Sequence, residues 1–196
     1  VFQRIHKEMM GVEVDFAAFD PAAHDPLLVE EAVLAWGVRV QTEFRSIQVM
    51  TRFTQEVLGA GDPIDVYAGA AEAILDEIRH TALCVGMLEA LGGEAELPDP
   101  VDEPDSPEFL ALPMAQRATA DAIAMLAISE TLSTGYIRDL QSRCTDPTVS
   151  RVLDVTLEDE DAHEAFGWDY IEASMQRCEG GEAFFRMVAD RTLRPH

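Results

Sequence analysis

The chain reads as an all-α protein: a four-helix bundle with a long crossover between helices two and three and a short fifth helix near the C-terminal end. Three observations predict this. Apolar residues return at intervals of three and four, as in Trp36, Val40, Phe44 and Ile47, and apolar-polar alternation never persists as it would in a strand. Asp-Pro pairs and glycines punctuate the chain at the spacing of long helices. The acidic, proline-rich stretch GEAELPDPVDEPDSPEFLALP, residues 93–113, divides the helical pattern into two pairs.

Residues 1–25 form an N-terminal extension. Asp25-Pro26 opens the first helix, 26–58, with the carboxylate as N-cap and proline at the first helical position. Gly59 and Gly61 stop it. Asp62-Pro63 opens the second, 63–91, which Gly92-Gly93 ends. The third runs over 113–144. Asp146-Pro147 opens the fourth, 147–178, closed by Gly180-Gly181. In the C-terminal piece, 179–196, EAFFRMVAD (182–190) has the pattern of a short helix. Segments of about thirty residues are rods of about 45 Å, which need packing partners along their whole length. The short connections make each pair antiparallel, and the crossover brings the second pair onto the first.

With 196 residues, 47% of them hydrophobic, the chain suffices for one well-buried core, so 26–178 is expected to be a single bundle. A formal charge of -23 repels phosphate backbones and anionic lipid surfaces, which argues against nucleic-acid and membrane partners. No apolar run is long enough for a membrane span, and no export signal is recognisable. Cys84, Cys144 and Cys178 show neither a C-x-x-C pair nor a disulfide framework. A cytoplasmic location is the expectation.

The chemistry is in a repeated pentapeptide. DEIRH (76–80) and DEDAH (159–163) both read Asp-Glu-x-x-His, which uses two of the five histidines. Chance places this spacing twice in about one such chain in a thousand, so coincidence is a poor account. Glu77 and His80, three apart, share a face of helix two; Glu160 and His163 share a face of helix four. Both faces are apolar. Glu43 interrupts the stripe Trp36, Val40, Ile47, Met50, and Glu130 interrupts Ile123, Leu126, Ala127, Thr134, Ile137. All four positions fall at one height. Four buried carboxylates are costly alone, whereas two divalent cations balance them and leave the histidines neutral. Oxygen-rich ligation with one imidazole per ion suits iron or manganese better than zinc.

One Glu, then Glu-x-x-His, then one Glu, then Glu-x-x-His is the pattern of the ferritin-like di-iron carboxylate proteins. The sequence resembles that superfamily over about 26–178, and its relatives there include bacterioferritins, rubrerythrins, ribonucleotide reductase small subunits and di-iron oxygenases. The resemblance implies two iron ions, with manganese or a mixed Mn/Fe pair as variants. It implies that Glu77 and Glu160 bridge them, that Glu43 with His80 completes one ion and that Glu130 with His163 completes the other. Asp76 and Asp159 match aspartates that hydrogen-bond the histidine of the opposite motif. Thr134, one turn after Glu130, matches a threonine that monooxygenases of the superfamily place near bound oxygen. The alternative for a mid-helical threonine is a bond to a backbone carbonyl. Cys84 and Tyr170 are expected to face the site as well, as packing or redox groups.

The resemblance implies an oxidase or oxygenase that uses O2 and an external electron donor to oxidise a small organic molecule, with a homodimer as one assembly. Two alternatives stay open. One is an iron-handling ferroxidase or store of bacterioferritin type; the other is a rubrerythrin-like peroxide reductase. The chain has no four-cysteine iron module of the rubrerythrin kind, and its crossover is longer than a cage-forming bacterioferritin would lead one to expect.

Overall fold

The structure is a computed structural model that describes residues 14–96 and 106–194. It is helical, with no strand among the described residues. Two 3-10 turns, Phe16–Ala18 and Pro21–Ala23, precede α1 (Pro26–Ala60) and α2 (Ile64–Ala90). After the crossover come a single turn, α3 (Pro107–Leu110), and then α4 (Met114–Asp121). A π-helical segment (Ala122–Ser129) joins α4 to α5 (Glu130–Arg143). The chain ends with α6 (Pro147–Met175) and α7 (Gly181–Leu193), the latter where a short fifth helix was expected.

The local signals account for most boundaries. Asp25 accepts a hydrogen bond from the Leu27 amide at 2.8 Å, and Asp146 accepts from Thr148 and Val149 at 2.9 and 3.0 Å, so both cap as expected. Asp62 does not. Pro63 is the N-cap of α2 with no side-chain bond, while Asp62 accepts the Tyr170 hydroxyl at 2.8 Å and pairs with Arg177 at 2.5 Å. A tertiary ion pair has taken the carboxylate from its local use. Gly59, expected as a stop, lies inside α1; Gly61, at φ 74, closes the helix in the left-handed conformation.

The third rod differs most from expectation. A continuous α-helix over 113–144 was predicted, and Ala122–Ser129 is instead wound with i→i+5 bonds, to which Ser129 adds a hydroxyl bond to the Ala124 carbonyl at 2.8 Å. The segment lies against α6. A Cβ at Gly167 would stand 2.5 Å from the Leu126 carbonyl carbon, so the α6 backbone lies directly against the π segment. Residues AIAMLAIS carry no local mark of this, since each is compatible with an α-helix.

The two helix pairs pack on each other. Arg52 of α1 pairs with Asp121 of α4 at 2.8 Å, Met114 reaches Gly59, and Arg79 of α2 pairs with Asp159 of α6 at 2.8 Å. Residues 97–105 of the predicted crossover lie outside the described residues. Its end is docked, with Phe109 under the guanidinium groups of Arg52 and Arg117 at 5.4 and 5.9 Å. In the N-terminal extension, Phe16 covers Gly86 so closely that a Cβ there would meet its ring at 2.5 Å. No helix among the described residues is long and apolar enough to cross a membrane.

Two large apolar clusters fill the core, with a smaller third one of Ala120, Cys178 and Phe184. One contains Trp36, Val40, Leu83, Met87, Ile137 and Val152; the other contains Met50, Phe53, Ala73, Ile123, Leu126 and Ile171. Each fully buried large side chain contributes about 1.5–3 kcal/mol relative to exposure. Between the clusters lies a layer of acids and histidines.

Candidate metal centre

Each long rod presents its polar residues where its apolar stripe is interrupted. On α1, Glu43 lies between Val40 and Met50; on α2, Glu77 and His80 lie between Ala73 and Leu83. Glu130 stands at the first residue of α5, and α6 carries Glu160 and His163. All six side chains are buried. Ligand atoms of Glu43, Glu77 and His80 lie within 4.8 Å of one another, and those of Glu77, Glu130, Glu160 and His163 form a second such group. Glu77 belongs to both.

The imidazoles give the layer its direction. His80 Nδ1 faces Glu43 at 3.8 Å and both Glu77 and Glu160 at 3.7 Å; His163 Nδ1 faces Glu77 at 3.7 Å and Glu160 at 3.4 Å. The two histidines meet opposite oxygens of each shared glutamate: Glu77 turns Oε2 to His80 and Oε1 to His163, and Glu160 turns Oε1 to His80 and Oε2 to His163. Each carboxylate therefore spans two positions. On the outer side, His80 Nε2 meets Asp159 at 3.0 Å and His163 Nε2 meets Asp76 at 3.2 Å, each aspartate coming from the opposite motif.

The unsatisfied atoms are the inward ones. His80 Nδ1, His163 Nδ1, Glu77 Oε2 and Glu160 Oε2 are buried without a hydrogen-bond partner. Buried polar groups are normally paired, and four converging nitrogen and oxygen atoms are the arrangement a cation would satisfy once the imidazoles give up their inward protons. These Glu and His groups can hold metal.

Sequence reasoning missed two arginines. Arg79 bonds Asp159 through Nε and Nη2 at 3.0 and 2.8 Å and also pairs with Asp76, which closes a chain from His80 through both aspartates to His163. Arg39 bonds Glu43 at 2.5 Å. Both had a sequence signal: Arg79 immediately precedes His80, and Arg39 is four before Glu43 on the same helix. Two other expectations change. Tyr170 does not join the layer, because its hydroxyl is bonded to Asp62 and its ring packs edge-on against Phe53 at 5.3 Å. Cys84 is buried beside Arg39 and Glu43, and burial pushes its thiol up to about 12, where it stays protonated.

No family model, curated protein or solved structure matches this chain. The site is therefore argued from its own geometry.

Crowding disturbs protonation throughout the layer. Burial raises Glu43 to about 7, with Arg39 opposing. Burial and then Glu160 push Glu130 well above the usual carboxylate range. Burial opposes ionisation of Glu160 too, but His163 and His80 outweigh it and hold this carboxyl at about 2. Burial would lower both imidazoles. The bond to Asp159 and the charges of Glu77 and Glu160 instead carry His80 to about 10, and the bond to Asp76 and the charges of Glu160 and Glu77 carry His163 to about 11.

Without metal both imidazoles are thus charged at neutral pH, and a cation must displace the Nδ1 protons. Loading is expected to release about two protons or more, and apparent affinity should rise about tenfold per pH unit for each. The rise should continue until the histidines deprotonate unaided, near pH 10 and 11. Calorimetric titrations in buffers of different ionisation enthalpy count these protons; an affinity independent of pH would rule out imidazole ligation.

Asp159→Ala and Asp76→Ala should each weaken metal binding about 10- to 100-fold while the helical content stays unchanged, because each removes the group that orients an imidazole and fixes its tautomer. Metal affinity measured by competition with a chelator checks this. Wild-type affinity in both variants would mean that the aspartates only hold Arg79.

Proposed function

We propose that the chain is a ferritin-like four-helix di-iron protein acting as an oxidase or oxygenase on a small organic substrate. The observation that carries this reading is the division of Glu77 and Glu160 between two imidazole-bearing positions. That arrangement suits a pair of cations sharing two carboxylates, not a single ion. In this reading Glu43 and His80 complete one position, and Glu130 and His163 the other. The donor set is four carboxylates and two imidazoles without thiolate, which favours iron or manganese.

When bound, the iron pair would supply the redox chemistry for O2. In a monooxygenation, two electrons and two protons from an external donor would let one oxygen atom enter a C–H bond while the other leaves as water. The protein's own contribution is placement. Asp159 and Asp76 keep the Nε2 protons of the imidazoles, so each Nδ1 lone pair points inward. The apolar clusters above and below keep water from the layer.

Thr134 is the side chain we assign to the reacting region. Thr42, Thr51, Thr54, Thr81, Thr119 and Thr156 bond the carbonyl four residues back, as mid-helical threonines commonly do. Thr134 is 0% exposed and its hydroxyl has no partner. It is free to donate to a group beside the metals.

Adding about fifty ferrous equivalents per chain in air and then removing free iron separates the readings, because a catalytic centre retains its ligated ions whereas a store passes them to mineral. Iron fixed near two per chain, with O2 consumption that a reductant and substrate sustain, is the expected result. A large assembly holding many more ions would establish storage. Rapid reoxidation by peroxide in preference to O2 would establish a peroxide reductase.

A further inference from the structure

The layers on either side of the candidate metal centre differ in chemistry. In antiparallel helices, one turn toward the N-terminus of α1 matches one turn toward the C-terminus of α2 and of α5. In one direction from the ligands the next residues are Ile47, Ala73 and Leu126, all apolar. In the other they are Arg39, Cys84, Thr134 and Thr156. Glu43 and Glu130 each lie within reach of Glu77, so Arg39 and Thr134, one turn away in the same direction, stand at one level of the bundle. The guanidinium of Arg39 bonds Glu43 and lies over the Trp36 ring at 6.0 Å.

Two groups of this layer lack partners. Thr134 is wholly buried with its hydroxyl unbonded, and the Nε–H of Arg39 is buried and unbonded although the side chain is 19% exposed. They stand on α1 and α5, and the close contacts of α1 are with α2 and α4. The two ligands on these helices, Glu43 and Glu130, are also the most exposed of the six, at 7% and 8%.

We propose that this layer is the binding subsite for a carboxylate group of the organic substrate, received between the Arg39 guanidinium and the Thr134 hydroxyl. The inference rests on the oxidase reading for its substrate. One guanidinium offers a planar fork that matches a carboxylate. A phosphate dianion would bring a second negative charge for which the layer has no cation. Glu43 holds one edge of Arg39, and when that carboxylate ligates an ion, the remaining donors of Arg39 are left for an incoming anion. A carboxylate bound here puts its α-carbon about one helical turn, ~5 Å, from the ligands.

The test uses protein loaded with Mn2+, so that binding is read without turnover. Acetate, butyrate and benzoate are titrated by calorimetry beside acetamide, butyramide and benzamide. At least one carboxylate should bind, with its amide at least about 10-fold weaker; Thr134→Val should weaken the carboxylate about 10-fold, and Arg39→Gln about 100-fold, with partial recovery in Arg39→Lys. Metal content is measured on every variant. If Arg39→Gln loses metal, Arg39 anchors Glu43 and Thr134→Val alone decides. Unchanged affinity in Thr134→Val, equal binding of the amides, or no carboxylate binding would overturn the proposal. Arg39-dependent binding in a protein that never consumes O2 would keep the subsite and remove the oxidase reading. Oxidation of neutral substrates without carboxylate binding would do the reverse.

Discussion

Glu77→Ala is expected to leave the protein with one metal ion per chain or none, where the wild type holds about two. Glu77 is the one residue common to both donor groups, and its two oxygens face different imidazoles. Its loss removes a ligand from each position at once. The effect should therefore exceed the about 10- to 100-fold weakening that follows loss of an outer hydrogen-bond partner. The fold itself should survive without metal, because the variant removes one of four crowded carboxylates, and a buried acid lacking a counter-charge is itself destabilising. Elemental analysis with circular dichroism on the same sample checks both halves. Two ions bound at wild-type affinity would eliminate Glu77 as a shared ligand.

Gly167→Ala should be the most damaging methyl group that can be added to the bundle. The new Cβ would meet the backbone carbon and oxygen of Leu126 at 2.5 and 2.6 Å, and backbone cannot swing aside as a side-chain tip can. Overpacking costs about 1–3 kcal/mol in ordinary cores. Here the upper end is expected, which for a chain of this size lowers Tm by about 6–12 °C. The displaced segment ends at Ser129, immediately before Glu130, so metal binding at the group that includes Glu130 and His163 should weaken as well. Gly37→Ala is the control. Nothing lies within 4 Å of its added Cβ, and in mid-helix alanine gains about 0.5–1 kcal/mol over glycine. A Gly167→Ala protein that melts with the wild type would show that α6 does not press on the π segment.

The helices were legible because their signals are local. Asp25, Asp146 and Gly61 cap or close their helices through atoms only a few residues away, and the recurrence of apolar residues records which face each rod buries. The six acid and histidine positions were legible for the same reason. A glutamate within an apolar stripe, or a Glu-x-x-His on one helical face, is visible in fewer than ten residues. Asp62 shows where this reasoning stops: it has the same Asp-Pro signal as Asp25 and Asp146, yet Tyr170 and Arg177, more than a hundred positions away, claim it.

The amino-acid order was thus enough to specify the rods, their inward faces and the inventory of buried groups that can hold metal, since each depends on neighbours along the chain. Contacts across the bundle settled the rest. The approach of Gly167 to Leu126 accompanies the π turn before Glu130, and Arg79 reaches from Asp76 on its own helix to Asp159 on another. Arg39 and Thr134 are brought to one level of the bundle on different helices, which no periodicity records. These features depend on distances between residues eighty or more positions apart in most cases, and such distances are fixed by how whole helices pack and not by the spacing of residues within any one of them.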